Sequence, residues 1–210
     1  MDRRSALKNL TLSIGYAVAA PTLFNMLSSC TAEAATWTPV FLSESEKHLV
    51  THLVDIILPT STTLPGALDV NVPQFIDIMY KDIETKPKQK LFQSGATAFA
   101  AHFEKNFEKE ALNGNKAEIE ELFVNYFDLP KDEIKSVLLE QRGSEKTIST
   151  DKKDRYLAYK FLFSVRYYAL YGYFTSEKVG EEVLAYDPIP GVYESCAPLE
   201  ETTGGRAWSL

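Results

Sequence analysis

Cysteine is nearly absent: two of 210 residues, Cys30 and Cys196. Two thiols cannot build a disulfide framework, a cysteine-rich zinc site or an iron–sulfur cluster. No GxGxxG turn is present, which leaves no dinucleotide-binding fingerprint. CxxCH, the attachment signal of covalent haem, and GxSxG, the nucleophile elbow of hydrolases, are missing too. Basic runs are confined to the first eight residues and the pair Lys152-Lys153, and the net charge is −7 with a pI of about 5.1. Such a chain repels phosphate backbones and has little to grip anionic lipid with, so nucleic acid is not expected as a partner. No stretch alternates apolar and polar residues long enough to demand a sheet. No cofactor is therefore expected on this chain, and no catalytic or metal-ligating set stands out.

What is present is helical. Hydrophobic residues make up 45% of the chain and aromatic residues 12%. This is enough apolar content for a packed domain rather than a disordered one. Ser43 with Glu46 forms a capping-box pattern, followed by Leu49, Val50, Leu53, Val54, Ile56 and Ile57 at helical spacing, and Pro59 ends the run. A second helix is expected from Pro73, with Phe75, Ile76, Met79, Tyr80 and Ile83 on its apolar face. A third is expected over residues 87–112, striped by Leu91, Phe92, Ala96, Phe99, Phe103 and Phe107, with Gly114 at C′. Asn115 and Glu118 open a fourth, running to Phe127. Pro130 suits N1 of a fifth, with Ile134, Val137 and Leu138 inward and Gly143 at its end. A long aromatic helix starts near Asp151 and runs through Tyr173, and Ser176 caps a short one to Leu184. Residues 186–210 are rich in Pro and Gly and have no period. The expected fold is a single all-α domain of about six to eight helices with an irregular C-terminal tail.

The first 29 residues read as an export signal. Arg3, Arg4 and Lys8 precede an apolar stretch over residues 10–27 and the small residues Ser28-Ser29. Arg3-Arg4 with Leu7-Lys8 resembles a twin-arginine signal, although Asp2 and Ala6 depart from the residues usual beside it. Leu27-Ser28-Ser29-Cys30 resembles a bacterial lipobox, in which the cysteine is acylated. Each buried CH₂ then contributes about 0.8 kcal/mol to membrane binding. The alternative is an uncleaved membrane helix, but Gly15 and Pro21 weaken it. The expectation is a bacterial lipoprotein of the periplasm: signal 1–29, lipidated cysteine and tether 30–42, helical domain 43–210.

Two side-chain groups invite a functional reading. Glu44, His48, His52 and Asp55 fall on one helix face, where two histidines at i, i+4 can ligate a metal. The glutamate of an HExxH peptidase is missing between them, and a polar stripe facing solvent or a partner is the simpler reading. The helix around residues 156–174 carries aromatics on more than one face. Core packing accounts for most of them, yet tyrosine is also enriched at interfaces. The candidate partner-contacting residues are Tyr167, Tyr171, Tyr173, Phe174, Tyr186, Pro190, Tyr193 and Cys196. Once Cys30 is lipidated, Cys196 is a leftover thiol, either bridged to another chain or free and buried.

Several segments carry a resemblance when read together. They are Asp55-Ile56-Ile57-Leu58-Pro59-Thr60, Pro65-Gly66-Ala67, Val72-Pro73 with Phe75-Ile76-Asp77, Gly172-Tyr173-Phe174-Thr175-Ser176-Glu177, Tyr186-Asp187-Pro188-Ile189-Pro190-Gly191-Val192-Tyr193 with Cys196, and Gly204-Gly205-Arg206-Ala207-Trp208. This set resembles the small subunit, often called subunit 3, of membrane-bound gluconate 2-dehydrogenase. Asn71 stands where a glycine is common. The resemblance implies a non-catalytic accessory chain that exports, stabilises and tethers a large flavoprotein of the glucose–methanol–choline type. That partner would hold FAD and oxidise a sugar or sugar acid, passing electrons to a cytochrome c subunit or carrier. The rival reading is a lipoprotein that binds a small ligand between its helices in an aromatic pocket.

Overall fold

The structure is a computed structural model that describes residues 37–189, 191 and 195–209. The chain divides into two compact units, Met1–Thr38 and Pro39–Leu210; of the first, only Trp37 and Thr38 are described. Arg3, Arg4 and Cys30 lie outside the described residues, as do Pro190 and Tyr193.

The second unit is all-α. Its α-helices are α1 (Glu44–Ile57), α2 (Val72–Ile78), α3 (Lys86–Phe107), α4 (Lys116–Phe127), α5 (Lys131–Arg142), α6 (Lys153–Phe174) and α7 (Leu199–Thr203). Among the described residues no strand forms; Ala185 and Trp208 make one isolated parallel bridge. No helix among them is long and apolar enough to cross a membrane.

Both expected capping boxes form. Ser43 and Glu46 close the start of α1, and Asn115 and Glu118 the start of α4, each pair satisfying two backbone N–H groups that a helix start leaves unpaired. α3 stops with its stripe at Phe107, short of the expected residue 112: Glu108 turns left-handed at φ 53°, and Gly114 is instead extended. Pro130 is the N-cap of α5 rather than N1. Only Val137 of α5 is buried; Ile134 and Leu138, expected inward, are exposed. The second helix continues past Ile78 as a wide π turn over Met79–Ile83, which rotates Ile83 out to solvent. Asn71 is left-handed, φ 56°, a conformation asparagine reaches more readily than other side chains, so the turn survives without a glycine.

α3 packs along α6, and their seam is the centre of the core. Phe92, Phe99 and Phe161 are fully buried there, and Phe103 is fully buried against Gly114, each side chain contributing about 1.5–3 kcal/mol from burial. The two helices meet closely at Gly95, where a Cβ would stand 2.5 Å from the Leu157 carbonyl oxygen. α1 crosses this pair through Leu49, Val50, Leu53 and Val54, all buried.

A buried carboxylate ties the chain entry to α2. Asp77 is 2% exposed and accepts three backbone N–H bonds: from Val40 (2.8 Å) on Oδ2, and from Phe41 (2.9 Å) and Leu42 (2.8 Å) on Oδ1. Phe41 then stacks on Tyr80 at 5.5 Å between centroids. The clamp thus joins residues 40–42 to α2.

Candidate partner-docking face

The aromatic helix α6 separates into two populations. Tyr156, Tyr159, Tyr168 and Tyr173 are buried, and each hydroxyl donates to an acceptor. Tyr156 reaches the Gly143 carbonyl (3.2 Å), Tyr159 the Tyr126 carbonyl (2.6 Å), Tyr173 the Pro65 carbonyl (2.8 Å) and Tyr168 the Glu84 carboxylate. A buried hydroxyl without a partner would be costly, so these four act as polar pins within the core. Tyr173, expected to face a partner, is 6% exposed and belongs to this population.

Tyr167, Tyr171 and Phe174 form the other population, 63%, 46% and 38% exposed. Their i, i+4, i+7 spacing places them on one face of α6. The rings of Tyr167 and Tyr171 stack at 6.3 Å, and Tyr171 meets Phe75 of α2 edge-on at 5.8 Å. Ile78, one turn on from Phe75, is exposed as well. Gly172 brings α2 this close, since a Cβ there would lie 2.5 Å from the Phe75 ring. The result is an exposed aromatic ridge spanning α6 and α2. Exposed apolar groups that are contiguous rather than scattered mark interaction surfaces. Phe75 was expected on the apolar face of its helix and Ile78 was not singled out, because helical spacing alone could not tell their partly open face from a buried one.

Beside the ridge lies an open cleft of about 510 Å³ between α3 and α6, closed at one end by Gln141 of α5. Tyr167 borders both ridge and cleft. Glu84 on the α3 side accepts from Tyr168 and from Lys88 (3.1 Å). Burial pushes the Glu84 carboxyl up, but these two donors outweigh it and hold the group below the usual carboxylate range. Tyr80, four residues before Glu84 on the π turn, pairs with Ser164 of α6, and burial raises the Tyr80 hydroxyl to about 12. Lys160 donates to the Gln141 carbonyl (2.7 Å) and lies 5.2 Å over the Tyr156 ring; burial lowers its ammonium pKa.

The polar face of α1 has an internal use. His48 Nε2 meets the Gly114 carbonyl oxygen at 2.8 Å, His48 and His52 pack edge-on at 4.5 Å, and Asp55 pairs with Lys116 at 2.6 Å. Glu44 faces Lys47 at 3.6 Å. This stripe ties α1 to the turn that starts α4. Among the described residues no group of three or more His, Cys, Asp or Glu is placed to hold a metal ion.

The remaining expected contact residues lie in the tail. Tyr186 and Cys196 are both exposed, which sets aside a buried thiol at Cys196. The tail is held to the body at residues 184–185. Ala185 N–H donates to the Ala207 carbonyl (2.8 Å), Ser209 N–H to the Ala185 carbonyl (2.8 Å), and the Arg206 guanidinium to the Leu184 carbonyl (3.2 Å).

The segments that carried the resemblance thus meet in space. Tyr173 touches Pro65, Gly172 touches Phe75, and Arg206-Ala207-Trp208 pairs with the chain just before Tyr186. A family model described as gluconate 2-dehydrogenase subunit 3 matches residues 44–191, well over half the chain. The chain belongs to this family. No curated protein and no solved structure matches it. By its description the family is a component of a dehydrogenase complex, and subunit 3 here is an all-α domain whose signature segments pack against one another.

Proposed function

We propose that this subunit 3 chain is a non-catalytic accessory subunit that exports, stabilises and membrane-tethers an FAD-dependent dehydrogenase of the glucose–methanol–choline type. Catalysis and FAD belong to the large partner, whose substrate is a sugar or sugar acid, and electrons leave through a cytochrome c subunit or carrier. The observation that carries this reading is the exposed ridge of Tyr167, Tyr171, Phe174 and Ile78, backed by the half-buried Phe75, on a chain of this family. A subunit built to dock needs an aromatic, poorly hydrated face whose burial supplies the binding energy.

Export and anchoring rest on the first thirty residues. Arg3-Arg4 would direct the chain to a route that carries folded proteins, so a partner already loaded with flavin could travel with it. Lipid on Cys30 would then hold the pair at the periplasmic face of a membrane. Two measurements test this. Palmitate labelling should mark the wild-type chain and not Cys30→Ala. Replacing Arg3 and Arg4 by lysine should leave both this chain and the flavoprotein in the cytoplasm. Unchanged export of both would remove the carrier role.

A further inference from the structure

The cleft beside the aromatic ridge contains a cation that the fold leaves without a counter-ion. Lys160 is half-buried, and among the described residues no carboxylate pairs with its ammonium. Its ammonium donates to the Gln141 carbonyl (2.7 Å) and lies over the Tyr156 ring, neither of which neutralises the charge. The nearby Glu84 cannot neutralise Lys160, because Tyr168 and Lys88 already hold it. A cation partly withdrawn from water without a counter-ion is costly in the free chain. That cost falls if an incoming group brings a carboxylate to Lys160.

We infer that this cleft is a socket for an aspartate or glutamate side chain of the large flavoprotein partner, whose carboxylate pairs with Lys160. Three observations favour a protein carboxylate over a free small acid. The cleft is open along the surface rather than enclosed, so it accepts a protruding loop. It shares Tyr167 with the aromatic ridge, so one docking partner covers both. Its volume of about 510 Å³ exceeds a single carboxylate and suits a side chain with its flanking backbone. The chemistry also gives specificity: this subunit carries a net charge of −7, and a partner acid finds an unpaired cation here in an otherwise acidic molecule.

This inference rests on the accessory-subunit reading, and the test separates the two. The native complex is purified from detergent-solubilised membranes through a tag on this chain and scanned for flavin absorbance. It is then treated with a zero-length amine–carboxyl coupling reagent, and the new amide bonds are mapped by mass spectrometry. The inference predicts a bond from Lys160 to an Asp or Glu of the flavin chain. It also predicts about 30-fold or greater loss of association in Lys160→Met, the loss typical when one partner of a buried charge pair is removed. Lys160→Arg, which keeps the charge, should retain the complex and lose only the coupled product. Thermal melts of both variants show whether each still folds. A flavin complex in which Lys160 stays uncoupled and Lys160→Met associates normally overturns the socket and leaves the accessory reading intact. Saturable binding of sodium gluconate or acetate to the isolated chain, abolished in Lys160→Met, makes the cleft a small-acid site and also overturns it. If the wild-type chain captures no flavin protein, the accessory reading falls and the socket with it.

Discussion

Replacing Asp77 should destabilise the subunit in two graded steps. Its carboxylate accepts N–H bonds from Val40, Phe41 and Leu42, at 2.8, 2.9 and 2.8 Å. Bonds to a charged acceptor are each worth about 1.5–3 kcal/mol, and they do not add fully. Asp77→Ala removes all three and leaves the Leu42 N–H buried without an acceptor, whereas the Val40 and Phe41 N–H groups can recruit water. The expected loss is about 3–5 kcal/mol, the range for breaking a buried charge-assisted cluster. Asp77→Asn differs in a specific way. Its carbonyl oxygen keeps the bonds to Phe41 and Leu42, while its NH₂ confronts the Val40 N–H, donor against donor. That variant should lose about 1–3 kcal/mol. For a domain of this length about 2–4 °C accompanies each kcal/mol, so the alanine variant should melt roughly 6–20 °C below wild type. Urea denaturation followed by far-UV circular dichroism gives both values. An alanine variant within about 1 kcal/mol of wild type, or an asparagine variant no better than alanine, would refute the clamp.

Other expectations follow from the same geometry. Tyr167→Ser combined with Tyr171→Ser should leave stability within about 0.5 kcal/mol, since both rings are exposed, yet weaken capture of the flavoprotein by about 2 kcal/mol or more; retained capture at equal protein concentration would remove the ridge from the interface. Gly172→Ala would drive a methyl into the Phe75 ring and should cost about 1–3 kcal/mol, while also displacing Phe75 from beneath Tyr171; a melt matching wild type would contradict that close approach. The pH dependence has a definite sign. Burial holds the imidazole of His52 below its usual pKa, with His48 and Lys116 adding and Asp55 opposing. Burial does the same for His102, with Lys105 adding and Asp154 opposing. The unfolded chain therefore takes up protons first. Stability from these groups is full above about pH 6.5 and is lost as the pH falls through their folded values. Urea midpoints should drop between pH 7.5 and 5.5, and the double variant His52→Asn, His102→Asn should flatten that slope.

How much of this could be read from sequence depended on whether the signal was local. The capping boxes at Ser43 and Asn115 were legible because a cap is a short-range pattern. The stripe of α3 was legible through Phe92, Phe99 and Phe103, but its end was not, because Glu108 turns left-handed without the glycine that usually announces such a stop. Ile83 and Leu138 looked inward from spacing. A π turn in one case and a thinly covered α5 in the other put them in solvent, and neither follows from helical period. The docking face was half legible. Tyrosine enrichment pointed to Tyr167 and Tyr171, but whether Tyr173 faced out or in depended on the Pro65 carbonyl, 108 positions away. Lys160 gave no sequence signal at all. Its interest lies in a missing counter-ion, a property only the packed structure has.

The family assignment also explains why widely separated segments carried the resemblance. Pro65-Gly66 and Gly172-Tyr173 meet at the C-terminal end of α6, and the last residues return to pair beside Leu184 and Ala185. That arrangement supports α6 from one end and leaves its aromatic face open, as a subunit of a larger assembly requires.

The central claim, that this chain is the docking subunit of a flavin dehydrogenase, is tested most directly by capture of the native protein from detergent-solubilised membranes, with an absorbance scan of the eluate. The account predicts a second, larger chain in constant ratio, flavin bands in the visible, and dehydrogenase activity with a sugar or sugar acid that tracks both. A lone, colourless chain, eluting without activity under conditions that keep it folded, would contradict it.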